Sequence, residues 1–189
     1  LVPLSSQALG VINQVRKFSE GSHYAFHQIN NPNKPMSENT TIRLESSQDV
    51  LLFESSSGAL VSFRSKAVPD QEFILTESCQ PVFVIQYLDE AQRFRQIGSN
   101  EAVEVEISSV ASPEDGGTTT LIAHFRQLGG LGLDVTVTVR ATANDRYSRW
   151  SLSLQNDAGL SITDVQFPFV VSPYSLGGKP GTEAMLLPF

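Results

Sequence analysis

The chain has 189 residues, 40% of them hydrophobic, and its 13 Lys and Arg stand against 20 Asp and Glu, a formal net charge of −7. That length suits one domain, or one domain with an arm, and the apolar share is enough for a real core. An acidic chain with no basic run lacks the positive footprint that nucleic acid or an anionic membrane surface requires, so neither partner is expected, while neutral ligands such as sugars stay open. No apolar run approaches the roughly 20 residues of a membrane-spanning helix.

The first residue is Leu1, and an upstream segment is expected to have been removed. Residues 1–22 lack the charged start and continuous apolar core of a signal peptide. Leu4, Ala8, Val11, Val15 and Phe18 recur at spacings of four and three, which suits a short amphipathic helix over about 6–18. Gly10 weakens that helix, and a strand from Gly10 to Phe18 is the rival. The run SHYAFHQINNPNKPMSENT, rich in Asn and holding Pro32 and Pro35, reads as a loop or arm. Residues 1–40 are therefore assigned to an arm or short helix plus loop.

Strands begin at Thr41 with TIRLES. DVLLFES and ALVSFRSK flank Ser55-Ser56-Ser57-Gly58 and form a hairpin with Gly58 at the turn, where a positive φ is cheap. Leu51 and Phe53 are expected to meet Val61 and Phe63 on one face. Pro69-Asp70 breaks the chain, and EFILTE is expected to resume it as a strand. PVFVIQYLD is apolar on both faces over Val82 to Ile85 and should be a central strand. The stretch from Arg93 to Asn100 is polar. AVEVEISSV alternates, with Val103, Val105 and Ile107 expected inward and Glu104 and Glu106 outward. SPEDGG is a turn. TTTLIAHFRQL places Leu121, Ala123 and Phe125 on one face and His124 on the other. Gly129, Gly130 and Gly132 break the chain.

The organising stretch is 133–171. Val135, Val137 and Val139 alternate with Thr136, Thr138 and Arg140, and Trp150, Leu152 and Leu154 alternate with Ser151, Ser153 and Gln155. A period of two is what a strand with one buried face requires. About ten to twelve strands with at most one short helix indicate an all-β protein, an antiparallel two-layer β-sandwich over 41–171. The tail, 172–189, is turn-rich through Gly177-Gly178 and Pro180-Gly181. It reads as a connector toward a following domain, with Met185, Leu186, Leu187 and Phe189 expected to be packed.

Residues with chemical potential have plain alternative explanations. His23 and His27 lie four apart, but no third metal ligand is evident, so no metal site is assigned. The chain's lone Cys79 can form no internal disulfide and reads as a small buried hydrophobe. There is no Gly-x-Ser-x-Gly elbow, and Gly129 to Gly132 lack the Lys and helix of a phosphate loop. Glu101, Glu104 and Glu106 offer a carboxylate pair for glycoside hydrolysis, yet the face of a strand explains Glu104 and Glu106 as solvated charge. Asp134, Asp145, Asp157 and Asp164 fall at turns or strand ends. No catalytic residue and no cofactor is assigned. Trp150 is in register with core residues. Tyr147 and Tyr174 are better placed for exposure and are the candidate ligand-binding aromatics, since a flat ring stacks on the apolar face of a sugar. Asn39-Thr40-Thr41 is a formal glycosylation sequon.

The run VLLFESSSGALVSFRSKAVPDQEFIL resembles the opening hairpin of galactose-mutarotase-like supersandwich domains. LDVTVTVRATANDRYSRWSLSLQNDAGLSITDVQFPFV looks like a later part of the same domain in multidomain glycoside hydrolases. The Trp150 strand, the Asn156 turn and the ending Val165-Gln166-Phe167-Pro168 carry the likeness, which covers roughly Thr41 to Val171. Free-standing mutarotases are longer and use a catalytic His and Glu, and neither maps by motif onto His23, His27 or His124. The resemblance therefore implies a supersandwich that is an accessory domain of a carbohydrate-active enzyme. It would precede a catalytic barrel, pack on that domain as its partner and help shape the glycan cleft. An extracellular or periplasmic location goes with it. Two alternatives remain: a carbohydrate-binding module that works alone, and a structural or protein-interaction sandwich that binds no sugar.

Overall fold

The computed structural model describes residues 41–74, 80–112 and 116–172. The chain divides into two units at Ser37, and the described residues belong to the second. The expected N-terminal helix or strand, His23, His27, Asn39, Cys79, Tyr174 and the apolar tail fall outside the described residues.

Ten strands form among the described residues: β1 (Thr41–Glu45), β2 (Asp49–Glu54), β3 (Leu60–Ser65), β4 (Val84–Leu88), β5 (Phe94–Gly98), β6 (Glu104–Ser112), β7 (Thr118–Arg126), β8 (Leu133–Thr142), β9 (Arg149–Asn156) and β10 (Ser161–Gln166). They make three sheets, ordered β1-β2-β3, β10-β4-β5 and β6-β7-β8-β9. Every pairing is antiparallel. The helical content among the described residues is two 3-10 turns of three residues each. The described residues are all-β, an antiparallel sandwich without a closed barrel.

The four-stranded sheet shows the alternation directly. Leu121, Ala123 and Phe125 of β7 and Leu133, Val135, Val137, Val139 and Ala141 of β8 are all buried, while their neighbours along the strand are not. Trp150, Leu152 and Leu154 of the edge strand β9 are half-buried on the same core. Against this face pack the two three-stranded sheets. Phe53 of β2 lies 5.5 Å from Trp150 between ring centroids, and Phe83, just before β4, meets Phe125 edge-on at 5.2 Å. Such ring pairs add about 0.5–1.5 kcal/mol beyond their burial.

Gly58 sits where the β2–β3 turn crosses this core. Its φ of +69° is a left-handed value, and a Cβ there would fall 2.8 Å from the Phe125 ring. Both backbone and space demand glycine. Gly129, in the turn between β7 and β8, is similar: its φ is +56° and a Cβ would meet Ile97 at 2.6 Å.

The structure corrects three expectations and adds one strand that the sequence reading did not assign. Val61 does not pair in the hairpin as expected. Leu51 faces Phe63, but a bulge between Leu52 and Phe53 sets Phe53 opposite Leu60 and leaves Val61 as the extra residue. Residues 71–74 form no ladder strand. Instead Glu72 binds this segment to β3, and Phe73 N–H donates to Phe63 O at 2.9 Å. The polar stretch after Arg93 is strand β5, whose first three residues are exposed and whose Ile97 and Gly98 alone are buried. Val103, expected inward, is 67% exposed and lies just before β6 begins, outside the alternation of that strand. The expected central strand holds: β4 lies between β10 and β5, and Ile85 is fully buried.

Candidate functional site

Antiparallel register puts opposite residues on one face, so the solvent side of the four-stranded sheet can be read as rows. One row runs Glu106, His124, Thr136, Ser153, and the next Ser108, Ile122, Thr138, Ser151. A third runs Val110, Thr120, Arg140, Arg149. Thr118 and Thr142 follow on β7 and β8, with their hydroxyls 2.9 Å apart. Six of the twelve positions in the three rows carry hydroxyls, and the others are Glu106, His124, Ile122, Val110, Arg140 and Arg149. His124 Nδ1 shares a hydrogen bond with Thr136 Oγ1 at 3.0 Å, which orients the ring along the row.

The carboxylate pair weighed for hydrolysis lies on this face. Arg126 reaches Glu106 at 3.2 Å and Glu104 at 3.6 Å, and both glutamates are more than 60% exposed. One guanidinium bridges both in open solvent, with no walls to hold a substrate between them. Glu101 is engaged elsewhere, accepting Gly98 N–H at 2.9 Å. Asp134 accepts Gln127 N–H at 2.8 Å and supports that residue's left-handed turn.

Arg140 and Arg149 face each other across β8 and β9, a like-charge pairing that costs stability. Asp145 relieves half of it by binding Arg149 at 2.7 Å. The backbone N–H of Tyr147 together with the Arg149 charge holds the Asp145 carboxyl below its ordinary range. Among the described residues no carboxylate pairs with Arg140. Tyr147 stands in the same β8–β9 turn and is 68% exposed. Trp150 is structural: its ring stands between Phe53 and Phe167 and its Nε1–H donates to Ser148 Oγ at 2.9 Å.

The remaining acidic groups act as clasps. Asp89 accepts the backbone N–H groups of Ala91 and Arg93 and pairs with the Arg93 and Arg95 side chains. The Arg93 N–H, and then those guanidinium groups, hold its carboxyl at about 2. Burial pushes Glu72 up, but hydrogen bonds from Ser62, the Phe63 N–H and Arg64 outweigh it, so its carboxyl titrates below the ordinary range. A crevice bounded by Leu60, Ile74, Pro81 and Phe169 has a free volume near 10 Å³, about one water. Among the described residues no three His, Cys, Asp or Glu side chains gather as metal ligands, and no helix is long and apolar enough to cross a membrane.

Of the residues singled out in the sequence, the structure brings His124, Glu104 and Glu106 onto one open face and sets Tyr147 in the turn between its strands β8 and β9. Sequence reasoning missed Arg140 as part of this surface, although its place in the alternation after Thr136 and Thr138 was the signal. Comparison of the chain with protein-family models, curated proteins and solved structures returns no match.

Proposed function

We propose that this chain is an accessory, non-catalytic β-sandwich of the galactose-mutarotase-like supersandwich type, serving an extracellular or periplasmic carbohydrate-active enzyme. The observation that carries this reading is the solvent face of the four-stranded sheet. Across β7, β8 and β9 it presents Thr120, Thr136, Thr138, Ser151 and Ser153 at the inter-strand repeat of about 4.8 Å. These hydroxyls donate and accept, as sugar hydroxyls do, and exposed Tyr147 adds a ring for a pyranose face. Arg140, without a carboxylate partner among the described residues, supplies a charge-assisted donor. The carboxylates nearby are paired with Arg126 in open solvent or spent on backbone clasps, which suits holding a glycan rather than cleaving it.

Glycan-array screening followed by calorimetry tests this. The expected result is binding to a polysaccharide that Tyr147→Ala abolishes and Arg140→Ala weakens by about tenfold, roughly 1.4 kcal/mol. Absence of binding to any glycan, or binding indifferent to both substitutions, rejects it. Glycoside turnover by this chain, lost on a single carboxylate substitution, rejects the non-catalytic part.

A protein-interaction sandwich is the second reading, and Phe94 favours it. That ring is 75% exposed on β5, between Arg93 and Arg95. Loss of a partner domain's binding on Phe94→Ala, with glycan binding absent, would select this reading.

A further inference from the structure

We propose that the outer edge of β6, which no described strand pairs with, pairs with β6 of a second copy of this chain, antiparallel and two-fold symmetric about Ser108. β6 is an outermost strand of its sheet, and at nine residues it is longer than any other edge strand described. Its ladder with β7 runs from Glu104 to Ser112 without a bulge, so its outer edge is straight. In an antiparallel edge strand every second residue turns its N–H and C=O outward, away from the sheet.

Proteins blunt such edges with proline, lysine, bulges or very short strands. Most of the other edges show one of these devices: β1 and β5 have only five residues, β3 is bulged opposite Phe53, and β10 has a register break between Ile162 and Asp164. β9, with eight residues in unbroken register, is the other long edge. β6 is longer still and has no proline, lysine or bulge. Ser108, Ser109, Val110 and Ala111 are four consecutive exposed, uncharged residues, with Val110 at 56% exposure. Its two charges, Glu104 and Glu106, are already drawn to Arg126 of the same sheet.

A second copy fits because the strand is complementary to itself. Pairing about Ser108 overlays all nine residues: Glu104 on Ser112, Val105 on Ala111, Glu106 on Val110 and Ile107 on Ser109. Opposite residues in this register share a face, so the core sides of the two sheets align and their solvent sides align. Each charged half meets an uncharged half, and no carboxylate faces another. Half-buried Val105 and Ile107 gain cover from the second copy. Any shift of register shortens the overlap. A strand pair about 30 Å long lies at the low end of interface sizes, so the dimer is concentration-dependent rather than permanent. Pairing would merge two four-stranded sheets into one surface of eight strands, doubling the polar face.

Sedimentation velocity over a wide concentration range tests the proposal, with circular dichroism confirming that each variant folds. The expected result is a monomer–dimer equilibrium that Ser108→Glu weakens at least tenfold by setting two carboxylates opposite each other at the axis. Ser108→Cys should cross-link under mild oxidation well above the background set by Cys79 in the unaltered chain. Ser112→Cys, which faces Glu104 of the other copy, should stay at background. A monomer at every concentration, a dimer indifferent to Ser108→Glu, failure of Ser108→Cys to cross-link, or equal cross-linking by Ser112→Cys would each overturn it.

Discussion

The four-stranded sheet and the layer facing it are held by different means. In the sheet, β7 and β8 pair over eight residues in unbroken register, and alternate side chains supply the core. The facing layer has strands of five or six residues, interrupted by bulges, and depends on side chains that bond to backbone. Ser46 is buried and accepts the N–H groups of Gln48 and Asp49 while donating to Arg146 O. Ser99, also buried, accepts Val82 N–H at 2.9 Å. Glu72 binds 71–74 to β3, and Asn156 closes the turn before β10 by bonding both backbone groups of Leu160. One region is stabilised by periodic burial along unbroken strands and the other by burial in short strands joined by individual polar contacts, so damage should spread differently through each.

The largest effect is expected where the two regions share a residue. Phe125→Ala removes a fully buried ring that meets Phe83 and fills the space beside Gly58. It should cost about 3–5 kcal/mol in urea unfolding. Gly58→Ala approaches the same ring from the other layer. Overpacking and the left-handed φ should cost about 1–3 kcal/mol by the same measurement, and a neutral result would mean that the layers are not in close contact there.

Glu72→Gln tests a clasp by itself. Losing a charged acceptor for Ser62, Phe63 and Arg64 should cost about 1–3 kcal/mol at neutral pH. The folded-state carboxyl lies below its ordinary value of 4.5, so its contribution is present above that pH and is lost as pH falls through the folded value. The gap between the natural chain and the variant should therefore close on acidification. Asp89 behaves alike at lower pH. Its carboxyl sits at about 2 against an ordinary value of 3.8, so stability falls between those values as acid is added. Asp89→Asn should flatten that part of the stability profile. The smallest effect belongs to Tyr147→Ala, which should change stability by less than about 0.5 kcal/mol because the ring is exposed. A larger loss would make Tyr147 part of the fold rather than of the surface.

The same contrast governs what was legible in the sequence. β7, β8 and β9 announce themselves because one face is buried along their length, and Val135, Val137 and Val139 record it as a period of two. β4 was legible from its apolar run. β5 was not, since exposed Phe94, Arg95 and Gln96 give no alternation, and its pairing with β4 is what makes it a strand. Val61 was misplaced because a bulge leaves no mark in hydropathy. The clasp residues are Ser, Asp, Glu and Asn, which the sequence alone cannot separate from ordinary turn residues. For the candidate surface, the outward positions of Thr136, Thr138 and Arg140 were readable. Their alignment with β7 and β9 depends on register, which comes from the pairing.

Native-state hydrogen exchange tests the difference between the two regions most directly. Amides of Leu121–Phe125 and Val135–Val139 are predicted to exchange only through global unfolding, with the free energy measured by urea. Amides of β2, β3 and β5 are predicted to exchange through smaller, local openings, and Glu72→Gln should speed β3 without touching β8 beyond its global loss. Equal protection in both layers, or faster exchange in β8 than in β3, would contradict the account.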